Sequence, residues 1–180
     1  PEDATPWLPT QAGQPLFTVR GGRYCPPEDW FDDQPVRCVT WDAACRYARW
    51  WSERTGQVWR LPFEQEWEKA ARSVDERLYP WGNFLDPSWA CTRARGRNGP
   101  VAVTQFEQDC SAYGVRGLAG NISDWVSAFN APRRGPTSAA HRWVRGGNWS
   151  DISQLSRCAL RYPSVEDSSN TVGFRLVRTL

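Results

Sequence analysis

Arg60-Leu61-Pro62-Phe63-Glu64-Gln65-Glu66-Trp67-Glu68-Lys69-Ala70-Ala71-Arg72 is the stretch on which the reading of this chain turns. Pro62 suits the start of a helix, where its missing N–H is not needed, and the early glutamates meet the positive end of the helix dipole. The stretch therefore predicts a helix. Glu64, Glu66 and Glu68 are expected as helix-start charges and surface salt-bridge partners rather than as an acid and a base. Upstream, Pro35-Val36-Arg37-Cys38-Val39 alternates like the end of a strand, and Thr40-Trp41-Asp42 opens a helix running through Ala43, Ala44, Tyr47, Ala48 and Trp51. Thr40 or Asp42 would cap that helix, Trp50 and Trp51 would anchor it, and Gly56 would stop it.

Working outward, residues 1–34 are rich in Pro, Gly and Gln and read as an irregular lead-in packed on the domain, with one short strand over Leu16-Phe17-Thr18-Val19. From Tyr79 to Pro100 the chain becomes a long loop, and loops of that length inside a domain are functional or heavily braced. Val101-Ala102-Val103, Trp143-Val144-Arg145 and Gly173-Phe174-Arg175-Leu176-Val177 predict strands of a twisted antiparallel sheet. The expectation is one loop-rich α+β domain over residues 35–180.

The bulk numbers agree with one domain and exclude several roles. A chain of 180 residues can bury a core without staples. Its formal charge of +2 comes from interleaved charges of both signs, so no basic stripe faces a phosphate backbone, and nucleic acid is not expected as a partner. No apolar run approaches the length of a membrane span, and Pro1-Glu2-Asp3-Ala4-Thr5-Pro6-Trp7 has no signal-peptide pattern. With no Met in the sequence, the true start is expected upstream, and a cytoplasmic location is the simplest expectation for the part given. Twelve Trp point to an aromatic, irregular core. Cys25, Cys38, Cys45, Cys91, Cys110 and Cys158 form no CxxC pair and read as free, partly buried thiols.

Several strings then line up, in order, with one family. Pro35 to Ala43 resembles its "PV-x-x-V-[ST]-W-x-[DE]-A" entry to the first helix, Arg60 to Glu68 its "RLPTEAEWE", and Tyr79-Pro80-Trp81-Gly82 its "YPWG". Tyr113 to Trp125 is similar to "YGLYDMAGNVWEW", and Arg145-Gly146-Gly147-Asn148-Trp149 with Gly173-Phe174-Arg175 to "RGGSW…GFR". On these motifs the chain resembles the formylglycine-generating-enzyme family. The resemblance implies a C-type-lectin-like fold with two helices, a twisted sheet and much loop.

The family's chemistry is another matter. Its formylglycine-making members use a copper-binding cysteine pair near the C-terminus, and a lone thiolate neither holds Cu(I) well nor forms an internal disulfide. Between Gly147 and Gly173 this chain has Cys158 alone. Iron-dependent relatives need several histidines, and His141 is the only one here. The expectation is no enzyme and no catalytic cofactor. The alternatives are an active relative using Cys158 with Cys91 or Cys110, and an accessory sensor module of a larger protein. A structural calcium ion is a further implication of the resemblance, held at Asn121, Ile122 and Asp124 in the place of the family's "GN-x-x-E" turn. The same side chains could instead brace that turn by hydrogen bonds.

One branch of the family points to binding. In the variable proteins of diversity-generating retroelements this C-terminal segment is mutated at template adenines, mostly in Asn codons set between fixed Arg, Ala and Gly. Such codons reach Ser, Asp, Ile, Leu, Tyr, Val and Thr but never Trp, Met, Lys, Glu or Gln. At the matching positions this chain has Ser150, Asp151, Ile152, Leu155, Leu160, Tyr162, Ser164, Ser169, Asn170 and Thr171, with Arg157, Ala159 and Arg161 as the frame. Together with Asn148 and Val165 these residues are expected to form a variable segment, 148–171, that contacts a macromolecular ligand, most simply a protein. Apolar and aromatic groups set among short hydroxyls supply contact area and adaptable hydrogen bonds.

Overall fold

A computed structural model describes residues 7–127, 142–164 and 168–179. Two hairpins come first: β1 (Thr10–Gln11) pairs with β2 (Gln14–Pro15), and β3 (Thr18–Arg20) with β4 (Arg23–Cys25). The lead-in is thus more regular than its composition suggests, and it is tied to the rest by Thr10 N–H donating to the Cys38 carbonyl. Pro35 to Val39 and Val101 to Val103 form no strand. The Val101 amide and carbonyl are taken up by the Asn121 side chain instead of a ladder.

Helix α1 (Trp41–Thr55) begins where Thr40 accepts the Ala43 N–H at 3.0 Å, and it ends where Gly56 turns left-handed at φ 66°. Its inward face is Ala43, Ala44 and Ala48, small enough to lie close on the core. Helix α2 (Glu64–Arg72) follows β5 (Trp59–Arg60). Phe63 at its N-cap offers no side-chain acceptor, so the reciprocal bond does the capping, with Glu66 Oε2 accepting the Phe63 N–H at 2.8 Å. Arg60 grips Glu66 through both oxygens, and this pair holds the Glu66 carboxyl below its usual range.

Glu64 departs from expectation. It is buried rather than a surface partner, because Arg161 and Arg145 reach its Oε2 at 2.7 and 3.6 Å. Both cations arrive from the C-terminal third of the chain.

The central sheet has the order β8-β7-β6-β9, with β6 (Ser123–Val126), β7 (Trp143–Arg145), β8 (Arg161–Pro163) and β9 (Val172–Gly173). Its pairs are antiparallel except for β6 with β9, which run parallel. A last strand, β10 (Val177–Arg178), pairs with β5. The expected α+β architecture of two helices and a sheet is therefore present, with one parallel edge. β6 is buried along its length, and against it pack Val39, Ala44, Leu61, Val144 and Val172 on one side and Trp67, Ala71, Leu118 and Cys158 on the other.

The core is less aromatic than twelve tryptophans suggest. Only Trp67 and Trp125 are buried, each with its indole N–H satisfied, by Asp124 Oδ2 at 2.8 Å and by the Val39 carbonyl at 2.9 Å. Several others lie half-exposed beneath arginine guanidinium groups, as Trp30 does under Arg37 and Trp143 under Arg161, which covers rings that would otherwise meet water. All six cysteines are thiols rather than disulfide partners. Gly173 has a steric reason for being glycine, since a Cβ there would lie 2.1 Å from the Val36 carbonyl oxygen.

Candidate ligand-binding surface

The segment that follows β7 leaves the sheet through Gly146 and Gly147, both at positive φ, with Gly147 lying against the Leu155 carbonyl and the Ser156 hydroxyl. Asn148 then closes a tight polar turn. Its Oδ1 accepts from Ser150 N–H and Oγ–H, and its backbone N–H and Nδ2 donate to Asp151 Oδ2 at 3.1 and 2.8 Å. A short 3-10 turn over Ser153–Ser156 comes next, with Ser153 fastened to Thr92 by a buried hydroxyl pair at 2.8 Å.

Cys158 is sealed in the interior. Its N–H donates to the Leu78 carbonyl at 2.8 Å, its carbonyl accepts from Arg145, and burial pushes its thiol up to about 12. A thiol in that state carries little thiolate near neutral pH, as suits a group packed in the interior.

Exposure alternates between these anchors and their neighbours. Ser153, Ser156 and Cys158 are buried. Each of the expected contact residues within the described range, Asn148, Ser150, Asp151, Ile152, Leu155, Leu160, Tyr162, Ser164, Ser169, Asn170 and Thr171, is exposed or half-exposed. Val165 and His141 lie outside the described residues. Six of these contact residues, Asn148, Asp151, Tyr162, Ser164, Ser169 and Thr171, line one open cleft of about 280 Å³. The cleft does not gather Ser150, Ile152, Leu155, Leu160 or Asn170, which lie along the same segment outside its walls.

Pro163 on β8, together with Ser123, Val144 and Val172, completes the cleft, and nothing in the sequence marked the last three as cleft residues. They come from β6, β7 and β9, whose pairing sets their position. Burial raises the carboxyl of Asp151, with the Asn148 N–H and the Arg93 charge pulling the other way, and burial together with Asp151 raises the Tyr162 phenol. The Tyr162 hydroxyl is buried and has no partner among the described residues.

The side chains matching the calcium turn are otherwise engaged. Asn121, at φ 62°, holds Val101 from both sides through Oδ1 and Nδ2. Ile122 is buried, and Asp124 Oδ2 accepts from Trp67 Nε1 and from Arg175 Nε at 2.5 Å. A calcium ion at Asp124 would have to displace a guanidinium, so this set does not fit the ion and braces the turn by hydrogen bonds.

Comparison with known proteins agrees with this architecture. The model of the sulfatase-modifying factor enzyme 1-like domain matches residues 11–180. A formylglycine-generating enzyme of Streptomyces coelicolor is 32% identical over 201 residues, covering 93% of this chain and 62% of that protein. The chain thus spans less than two thirds of that relative's length. Among solved structures, PvdO from Pseudomonas aeruginosa superposes with a TM-score of 0.70 at 29% identity, over 91% of this chain and 70% of that one. Treponema denticola variable protein 1 superposes with a TM-score of 0.67 at 19% identity, over 83% and 73%, a likeness of fold.

Proposed function

This chain belongs to the sulfatase-modifying factor enzyme 1-like domain family, and we propose that it is a non-catalytic, ligand-binding member whose segment 148–171 is a hypervariable contact surface of the diversity-generating-retroelement kind. The observation that carries the reading is the alternation along the segment. The positions matched to mutated Asn codons are exposed or half-exposed, while Ser153, Ser156 and Cys158 between them are buried. Outward groups can change without disturbing the core, which is what a diversified surface requires. The ligand is a macromolecule, in the first place a protein, since the exposed mixture of Ile152, Leu155, Leu160 and short hydroxyls suits a broad contact face.

Sequencing the gene and its surroundings in many isolates tests this. The expected result is a reverse-transcriptase gene, a near-copy of the codons for 148–171, and differences confined to adenines of that copy. Substitutions spread evenly over the domain, with no such near-copy, would contradict it.

The identity with a protein named formylglycine-generating enzyme favours a second reading, catalysis at a copper-bound cysteine pair. Against it stand the single cysteine between Gly147 and Gly173 and the buried, little-ionised state of that thiol. Anaerobic titration with Cu(I) separates the two readings. Stoichiometric, tight copper binding lost in Cys158→Ser would favour the enzyme.

A further inference from the structure

We propose that the cleft between Asn148 and Thr171 receives a cationic side chain, a lysine ammonium or an arginine guanidinium, presented by the protein partner. This rests on the reading of the segment as a contact surface and specifies what its concave part selects. The first argument is size. Pockets for drug-sized ligands run to about 300–1,000 Å³, so a cleft of about 280 Å³ suits a single inserted side chain.

The second argument is the inventory of free hydrogen-bonding groups. The Asn148 amide nitrogen is spent within the protein on Asp151 and Ser123, and the Ser169 and Thr171 hydroxyls share one hydrogen bond at 2.9 Å. One carboxylate acceptor is left over. Both bonds that Asp151 accepts fall on Oδ2, and Oδ1 has no partner among the described residues. A carboxylate oxygen left free is complementary to a group that only donates, and lysine and arginine are the side chains of that type.

The third argument is charge. The chain carries 22 Lys and Arg, yet among the described residues none lines this cleft, and the one carboxylate there is Asp151. Arg93 acts on Asp151 from outside the lining and leaves the space itself free of positive groups. An anionic group entering would meet a carboxylate with no cation in the walls. The cleft also has a division of labour. Ser123, Val144, Tyr162 and Val172 belong to the sheet and fix its shape, whereas Asp151 sits at a substitutable position outside the sheet and sets its chemistry. The cationic preference is therefore a property of this variant, carried on a cleft that other variants share.

The test is an amide-resolved NMR titration of the whole chain with N-acetyl-arginine-N′-methylamide, in parallel with the citrulline analogue, which keeps the shape and loses the charge. The expected result is saturable shift changes at 148–151, 162–164 and 169–172 for the arginine probe and at least tenfold weaker binding of the citrulline probe. Asp151→Asn should weaken arginine binding by a similar factor. It keeps an acceptor for Asn148, and a thermal melt checks that it folds. Equal binding of the two probes, unchanged affinity in Asp151→Asn, or no shifts at these residues would overturn the proposal. Shifts there from the neutral probe alone would overturn the charge preference while leaving the contact surface in place, and the adenine pattern tests that surface independently.

Discussion

Arg145 Nη1 donates to the carbonyl oxygen of Cys158 at 3.1 Å, joining the last residue of β7 to the buried midpoint of the segment that follows it. The other end of the same guanidinium reaches Glu68 at 3.0 Å and Glu64 at 3.6 Å on α2. One buried cation therefore ties helix, sheet and segment together. Removing one partner of such a buried set leaves the other charges uncompensated, at about 3–5 kcal/mol. Arg145→Met is expected to lower unfolding stability by about 3 kcal/mol or more, read from urea midpoints at constant slope. A change below about 1 kcal/mol would remove Arg145 from the framework.

The Thr92–Ser153 hydroxyl pair, buried at 2.8 Å, is the second anchor. A net hydrogen bond contributes about 1 kcal/mol, and an orphaned buried hydroxyl costs about 1–3 kcal/mol. Thr92→Val and Ser153→Ala should each destabilise by that order. The double variant should cost less than the two singles added, giving a coupling of about 1 kcal/mol in a double-mutant cycle. Strict additivity would mean that the two hydroxyls do not depend on each other.

Asp109 supplies a pH signature. It accepts the Leu118 and Ala119 N–H groups, yet burial, the larger effect, raises its carboxyl from 3.8 to about 7. A carboxyl raised on folding favours the folded state while protonated. Its contribution is full below pH 3.8 and is lost as pH rises through about 7. Asp109→Asn should therefore flatten the decline in stability between pH 4 and 7. The decline in the wild type is on the order of 4 kcal/mol if burial acts in full. Identical profiles for the two proteins would show that the carboxyl is ionised throughout.

Thiol labelling reads the framework directly. Cys38, Cys91 and Cys158 are buried, and burial pushes the Cys158 thiol up to about 12, whereas Cys25 lies on a surface hairpin. A maleimide at pH 7 should label Cys25 within minutes and leave these three until the chain unfolds. Rapid labelling of Cys158 in the native protein would restore it as a candidate for chemistry.

The parts of this fold that were legible in the sequence are those decided locally. Thr40 caps α1 and Gly56 ends it as their neighbours suggest, because a cap needs only a few adjacent residues. Glu64 could not be placed, since the arginine that pairs with it most closely, Arg161, lies 97 residues away. Val101 to Val103 has the composition of a strand but gives its backbone bonds to Asn121 and Asp33, a choice made by tertiary contacts. Within the candidate surface, the positions matched to Asn codons are exposed or half-exposed, and so are Gln154 and the frame residues Arg157, Ala159 and Arg161. The cleft walls Ser123 and Val172 depend on the parallel β6–β9 pairing and leave no local trace.

The central claim is that a fixed frame holds out a surface free to vary. It is tested most directly by saturating residues 150–164 and 168–171 one position at a time and scoring each displayed variant for protease resistance. The account predicts that most substitutions at Ser150, Asp151, Ile152, Leu155, Leu160, Tyr162, Ser164, Ser169, Asn170 and Thr171 keep the fold, while most at Ser153, Ser156 and Cys158 lose it. Outward positions as intolerant as these three would contradict it.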